Sequence, residues 1–219
     1  MDVTLNDNEV RVLGSLIEKE LTTPEYYPLS LNSLTNACNQ KSNRDPVMAL
    51  TEEDIVRALD SLRFKQLVVL SADGGRVPKY RHLLAEKLGL MPAEQAIICE
   101  LLVRGPQTLK ELRTRGERMY PFGDLAAVEE VLQELIRREN PLITLMVRQP
   151  GRKEGRYAQL FSELPESGDD SIEARPEAAR QRVLAENERI ANLEEEVAAL
   201  RGEVVGLQQM MAEFKAQFE

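Results

Sequence analysis

At 219 residues and 42% hydrophobic content, the chain can hold two small domains, each with its own core. No apolar run approaches the ~20 residues a bilayer span needs, and Met1-Asp2-Val3-Thr4 lacks the basic and apolar regions of a leader, so a soluble, cytoplasmic protein is expected. The net charge of −9 is uneven: residues 1–162 hold 22 Lys and Arg against 23 Asp and Glu, and residues 163–219 hold 6 against 14, which leaves room for a local basic face on the body without requiring one.

In chain order, Asn6 and Glu9 form the cap of a first helix over about Asp7 to Leu21, with Val10, Leu13, Leu16 and Ile17 on its apolar face. A proline-bracketed segment, Thr22 to Pro28, precedes Ser30, which caps a second helix carrying Leu31, Leu34 and Cys38 inward. A polar run, Asn39 to Pro46, separates it from a third helix that Thr51 opens with Glu52, Glu53 and Asp54. Ile55, Leu59 and Leu62 are the inner face of that helix. Leu67-Val68-Val69-Leu70 is predicted as a strand, Asp73-Gly74 as a tight turn, and Val77 to Leu84 as the returning strand.

The same order then recurs. Pro92 sits in the first turn of a helix carrying Ile98, Leu101 and Leu102, Thr108 with Glu111 opens another, and Asp124 begins a third with Val128, Leu132 and Leu135. Leu142 to Leu145 and Arg156 to Leu160 are predicted as its hairpin. Helix three of the two copies aligns at an offset of 73 residues, helix two at 78 and helix one at 85, so the first copy carries extra loop sequence on both sides of its second helix. Three helices followed by a hairpin are the winged helix-turn-helix. The fold class expected is mainly α with small β-hairpins (α+β), as two tandem winged helix-turn-helix domains over 1–88 and 89–162. Tyr27-Pro28-Leu29 is the expected short first strand of the first copy.

Residues 163–176 are expected to be an acidic flexible linker, and 177–219 a helix to the chain end. Ile190, Leu193, Val197, Leu200, Val204, Leu207, Met211, Phe214 and Phe218 alternate in steps of three and four. Branched residues at a with Leu at d favour a parallel coiled-coil homodimer, and the flanking Arg189–Glu194 and Glu196–Arg201 pairings agree in sign. The alternative is a helix that folds back on the body through the same stripe.

Two stretches carry a resemblance. Thr22-Thr23-Pro24-Glu25-Tyr26-Tyr27-Pro28-Leu29-Ser30 with Ala37 to Val47, and Leu112-Arg113-Thr114-Arg115 followed by Arg118-Met119-Tyr120, resemble the signature of the YceH family, bacterial tandem winged-helix proteins. The resemblance covers roughly residues 5–162 and a similar tail. It implies the fold and supplies no reaction or site.

Winged helices point to double-stranded DNA. The third helices are poor readers, since Glu52, Glu53 and Asp54 in one and Glu129, Glu130 and Glu134 in the other oppose phosphates. The wings are the better contacts, with Arg76, Lys79 and Arg81 in the first, Arg152, Lys153 and Arg156 in the second, and Lys41 and Arg44 assisting. The bland reading of these charges is a solvated, blunted hairpin edge. The alternative to DNA is a protein-interaction adaptor, similar in layout to the segregation protein ScpB, gripping a partner through Tyr26, Tyr27, Asn39, Gln40 and Asn43. Cys38 and Cys99 look like buried apolar residues in equivalent settings, and His82 is alone in a strand. No catalytic set, metal ligand spacing or cofactor motif is present, so no enzyme, metal or cofactor is expected.

Overall fold

A computed structural model describes residues 4–71, 77–147 and 154–164. Helix α1 (Asp7–Thr22) opens on the expected reciprocal cap, in which the Glu9 amide donates to Asn6 Oδ1 at 2.9 Å and the Asn6 amide to Glu9 Oε2 at 2.8 Å. A 3₁₀ turn (Pro24–Tyr26) leads to the two-residue strand β1 (Leu29–Ser30). Ser30 then caps α2 (Leu31–Cys38), and α3 (Glu52–Phe64) starts at Thr51 and Asp54, each capping the other.

The first hairpin is β2 (Val68–Leu70) and β3 (Lys79–His82), and β1 adds to its inner side, giving the antiparallel order β1-β3-β2. The expected strand over Val77 to Leu84 is therefore shorter. Leu83 and Leu84 instead begin a five-residue helix, α4 (Leu84–Leu88), which Gly89 ends at φ +59°, a left-handed conformation that glycine adopts without cost. No cap or apolar repeat announced so short a helix.

The order then repeats with α5 (Pro92–Arg104), α6 (Leu109–Gly116), α7 (Leu125–Arg137), β4 (Ile143–Leu145) and β5 (Tyr157–Gln159). Thr108 supplies the predicted cap of α6, and Asp124, where the third helix was expected to begin, caps α7. A single bridge from Gln107 to Tyr157 stands where β1 stands in the first half. The described part is thus mixed, mainly helical with small antiparallel sheets. Removing the Thr51 cap by Thr51→Ala should cost about 1 kcal/mol, read as a lower midpoint in chemical denaturation with an unchanged slope.

The halves meet along α1 and α5, and one hydrophobic core runs through both, from Leu13, Leu16 and Ile17 to Ile98, Leu101 and Val103. This explains why α1 is buried nearly all round: Arg11, Ser15 and Glu18 are inside as well as its apolar stripe. Gly14 sits at the crossing. A methyl group there would lie 2.8 Å from Val103 Cγ1 and 2.9 Å from Leu102 Cβ. Further ties cross the halves, with the Leu5 amide donating to the Phe161 carbonyl at 2.6 Å and Arg138, held by both Glu94 oxygens of its own half, donating to the Leu88 carbonyl. Among the described residues no helix is long and apolar enough to cross a membrane.

Candidate interaction surfaces

Arg44 belongs to the interior. Its side chain has no exposure, and its Nη2 meets Glu18 Oε2 at 2.5 Å while Nε and Nη2 donate to the Ala37 carbonyl. The expectation that Arg44 assists phosphate contact is corrected here: a guanidinium so enclosed cannot reach a ligand. It serves the C-terminal end of α2, together with Arg11, which donates to the Cys38 and Pro46 carbonyls at 3.2 and 2.6 Å. Two cations on the last carbonyls of one helix oppose its negative end.

The same carboxylate reaches the second half. Arg118 Nη1 lies 2.6 Å from Glu18 Oε1, and its Nη2 lies 3.0 Å from Glu100 Oε1. Arg104 pairs with Glu100 at 3.2 Å and bonds Asn43 Oδ1, and the Asp45 amide donates to the Val103 carbonyl at 3.0 Å. Burial pushes the Glu18 carboxyl upward, but the bonds and charges of Arg44 and Arg118 outweigh it and hold the pKa down at about 2. The polar loop of the first half is therefore a staple across the α1–α5 seam. Arg11, Ser15 and Glu18, a stripe of helical spacing on α1, are buried beneath it.

The other loop residues follow suit. Asn39 clamps Leu50, accepting from its amide at 2.7 Å and donating to its carbonyl at 2.8 Å. Gln40 accepts from Lys19 at 3.4 Å. The Tyr27 hydroxyl accepts from the His82 amide at 2.7 Å, and burial raises its pKa. Of the five proposed grip residues only Tyr26 stands well into solvent, at 72% exposure.

On the wings, Arg81 is paired with Glu86 at 2.6 Å, and Arg156 donates to the Pro106 carbonyl at 2.7 Å beside Glu111. Lys41 and Lys79 are exposed and meet no carboxylate among the described residues. Arg76, Arg152 and Lys153 lie outside the described residues, as do the linker from residue 165 and the heptad residues Ile190, Leu193, Val197, Leu200, Val204, Leu207, Met211 and Phe214. The outer faces of α3 and α7 carry Glu52, Glu53, Asp60, Glu129, Glu130 and Glu134 in solvent.

His82 is buried, with Nε2 2.6 Å from Glu20 Oε2. Cys38 and Cys99 are both buried, but not in equivalent places, since one is on α2 and the other on α5, the counterpart of α1. Burial pushes the Cys38 thiol up to about 11 and the Cys99 thiol well above its ordinary range, which makes both poor nucleophiles. Among the described residues no group of three His, Cys, Asp or Glu is placed to hold a metal ion.

What the surface does offer is apolar. Both hairpins raise a leucine at the last residue of their first strand, Leu70 and Leu145, and Val77 and Val147 follow nearer the tips. Leu145 is 52% exposed and Val147 87%. Gly155 faces Leu145 across the ladder, where a methyl group would lie 2.8 Å from Leu145 Cδ1.

A family model described as a protein of unknown function, DUF480, matches residues 5–152. The chain is 68% identical to a UPF0502 protein of Geotalea uraniireducens (strain Rf4) over the whole of both chains. It is 64% identical, again end to end, to a UPF0502 protein of Geobacter sulfurreducens (strain ATCC 51573 / DSM 12127 / PCA).

Proposed function

Since the chain belongs to the DUF480 (UPF0502) family of unknown function, we propose from its own surface that it is a non-enzymatic adaptor for other proteins. It is built of two tandem winged helices and dimerised through the heptads of its C-terminal segment. The repeated order of three helices and a hairpin, together with the resemblance to the YceH family, supports the winged-helix reading.

One observation carries the adaptor role. Among the described residues, the arginines expected to meet phosphate are occupied by the protein's own groups, Arg44 by Glu18, Arg81 by Glu86 and Arg156 by Pro106 and Glu111, while the third helices turn carboxylates outward. A surface that binds DNA gains affinity by releasing counterions from phosphates, and each pre-paired arginine must first give up its partner. Large apolar side chains in solvent at both hairpins are, by contrast, what protein interfaces bury.

The test is a titration of the full chain with fluorescent duplex DNA at low salt. No saturable binding is expected, and the triple charge reversal of Arg76, Arg152 and Lys153 to Glu should change nothing. The second reading, DNA contact through those three residues with Lys79, rests on their clustering in two short stretches of the sequence. It would replace the adaptor if binding appears, weakens steeply with salt and is abolished by the reversal.

A further inference from the structure

Among the described residues, the second hairpin has one satisfied strand and one open strand. In β5, Tyr157 exchanges backbone hydrogen bonds with Gln107 on its far side, at 2.8 and 3.0 Å, and pairs with Leu145 on its near side. In β4 the bonds alternate. The Leu160 amide donates to the Leu142 carbonyl at 2.9 Å and the Met146 amide to the Arg156 carbonyl at 2.8 Å, so Leu142, Thr144 and Met146 face β5. By the same alternation the amides and carbonyls of Ile143, Leu145 and Val147 face outward. They meet no backbone partner outside the strand among the described residues.

An open edge is ordinarily protected by charge, proline or a bulge. From Ile143 to Val147 there is none of these: the run is Ile-Thr-Leu-Met-Val. Ile143 is buried, but the strand outruns the core, and Leu145 and Val147, on the same side as Ile143, stand largely in solvent. The first hairpin repeats the arrangement, since β2 is also the outer strand of its sheet. There the Ser71 amide donates to the Lys79 carbonyl at 2.8 Å, and Leu70 faces outward with its side chain exposed.

We propose that the free edge of β4, Ile143 to Val147, is a docking strand that pairs with an extended segment of a partner protein. This rests on the adaptor reading and names the conformation of what is bound. The occupant's chemistry follows from the edge. Alternating outward amides and carbonyls are satisfied in register only by another strand, and Leu145 and Val147, two residues apart, require apolar side chains at alternate positions of that strand. Uncharged edge residues favour a segment that is itself uncharged where it pairs.

The probe is a fluorescein-labelled peptide, Glu-Thr-Val-Thr-Val-Thr-Val-Glu, titrated with the full chain and followed by anisotropy. Saturable binding is expected. Val147→Pro should weaken it by about tenfold or more, as should N-methylation of alternate peptide amides, because each removes outward-edge hydrogen bonds. The Val147 amide points away from β5, so the proline leaves the internal ladder whole, and an unchanged melting temperature confirms that. Val147→Ile, which keeps both the amide and the apolar side chain, should bind as the wild type does.

The proposal is overturned if the wild type shows no saturable binding up to about 1 mM peptide. It is equally overturned if Val147→Pro and the methylated peptide bind undiminished, or if Val147→Pro instead reduces self-association in sedimentation, which would make a second copy the occupant. The adaptor reading fails separately, in the DNA titration, where Val147→Pro has no bearing.

Discussion

Replacing Glu18 with alanine should lower stability by about 3–5 kcal/mol, because it leaves Arg44 buried without a counter-charge and deprives Arg118 of its shortest ion pair. For a chain of 219 residues that corresponds to a melting temperature lower by roughly 10 °C. The cost is that of an orphaned cation and not of a lost cavity. Glu18→Leu combined with Arg44→Leu should therefore recover much of it, whereas either change alone should not. A loss below about 1 kcal/mol for Glu18→Ala would show that water reaches the site and the network ties nothing together.

The same carboxyl sets a pH dependence. Its folded pKa, about 2, lies below the ordinary glutamate value of 4.5, so the unfolded chain takes up the proton first as pH falls. The stabilisation is complete above pH 4.5 and is lost progressively as pH drops towards 2, amounting to about 3 kcal/mol. Glu18→Gln should flatten that part of the acid unfolding curve. An unaltered curve would mean that other carboxylates govern it.

The second large effect belongs to Gly14. Gly14→Val must place two methyl groups where Val103 Cγ1 and Leu102 Cβ already stand 2.8 and 2.9 Å from a single added carbon. Leu102 Cβ is fixed to its helix backbone, so α1 and α5 have to separate. Overpacking of this kind costs about 1–3 kcal/mol, with valine at the upper end. Gly14→Ala gains about 1 kcal/mol of helix propensity and should show a smaller net loss. Denaturant midpoints for the pair would decide it: a valine variant as stable as the wild type would mean the helices do not meet so closely.

Caps and apolar repeats are local signals, which is why the helices starting at Asn6, Ser30, Thr51, Thr108 and Asp124 could be placed from spacing alone. The hairpin strands were equally legible, their ends less so. Leu83 and Leu84 read as strand because β-branched and leucine runs do not say where a strand yields to a helix, and α4 is too short to show a period.

The candidate site residues were harder to place. Arg44, Asn39 and Asn43 look like a polar binding loop when nothing is known of what lies beneath them, and Arg11 and Glu18 look like a solvent face. Each has the residue type a ligand site would use, and each is consumed inside the protein, Asn39 by the Leu50 backbone and the others around the seam between α1 and α5. Arg118 stood out only as part of a family signature and Glu100 not at all, and neither showed its pairing, because Glu18 and Arg118 lie far apart in the chain.

Sequence by itself determined the duplication, the class of structure and the family, since those follow from short-range periodicity and from identity with relatives. The tertiary structure alone decided which charges are available to a partner. Whether an arginine is a contact or a staple depends on how two helices distant in the chain approach one another. Here a glycine at position 14 lets them come close enough to close over Glu18 and Arg44.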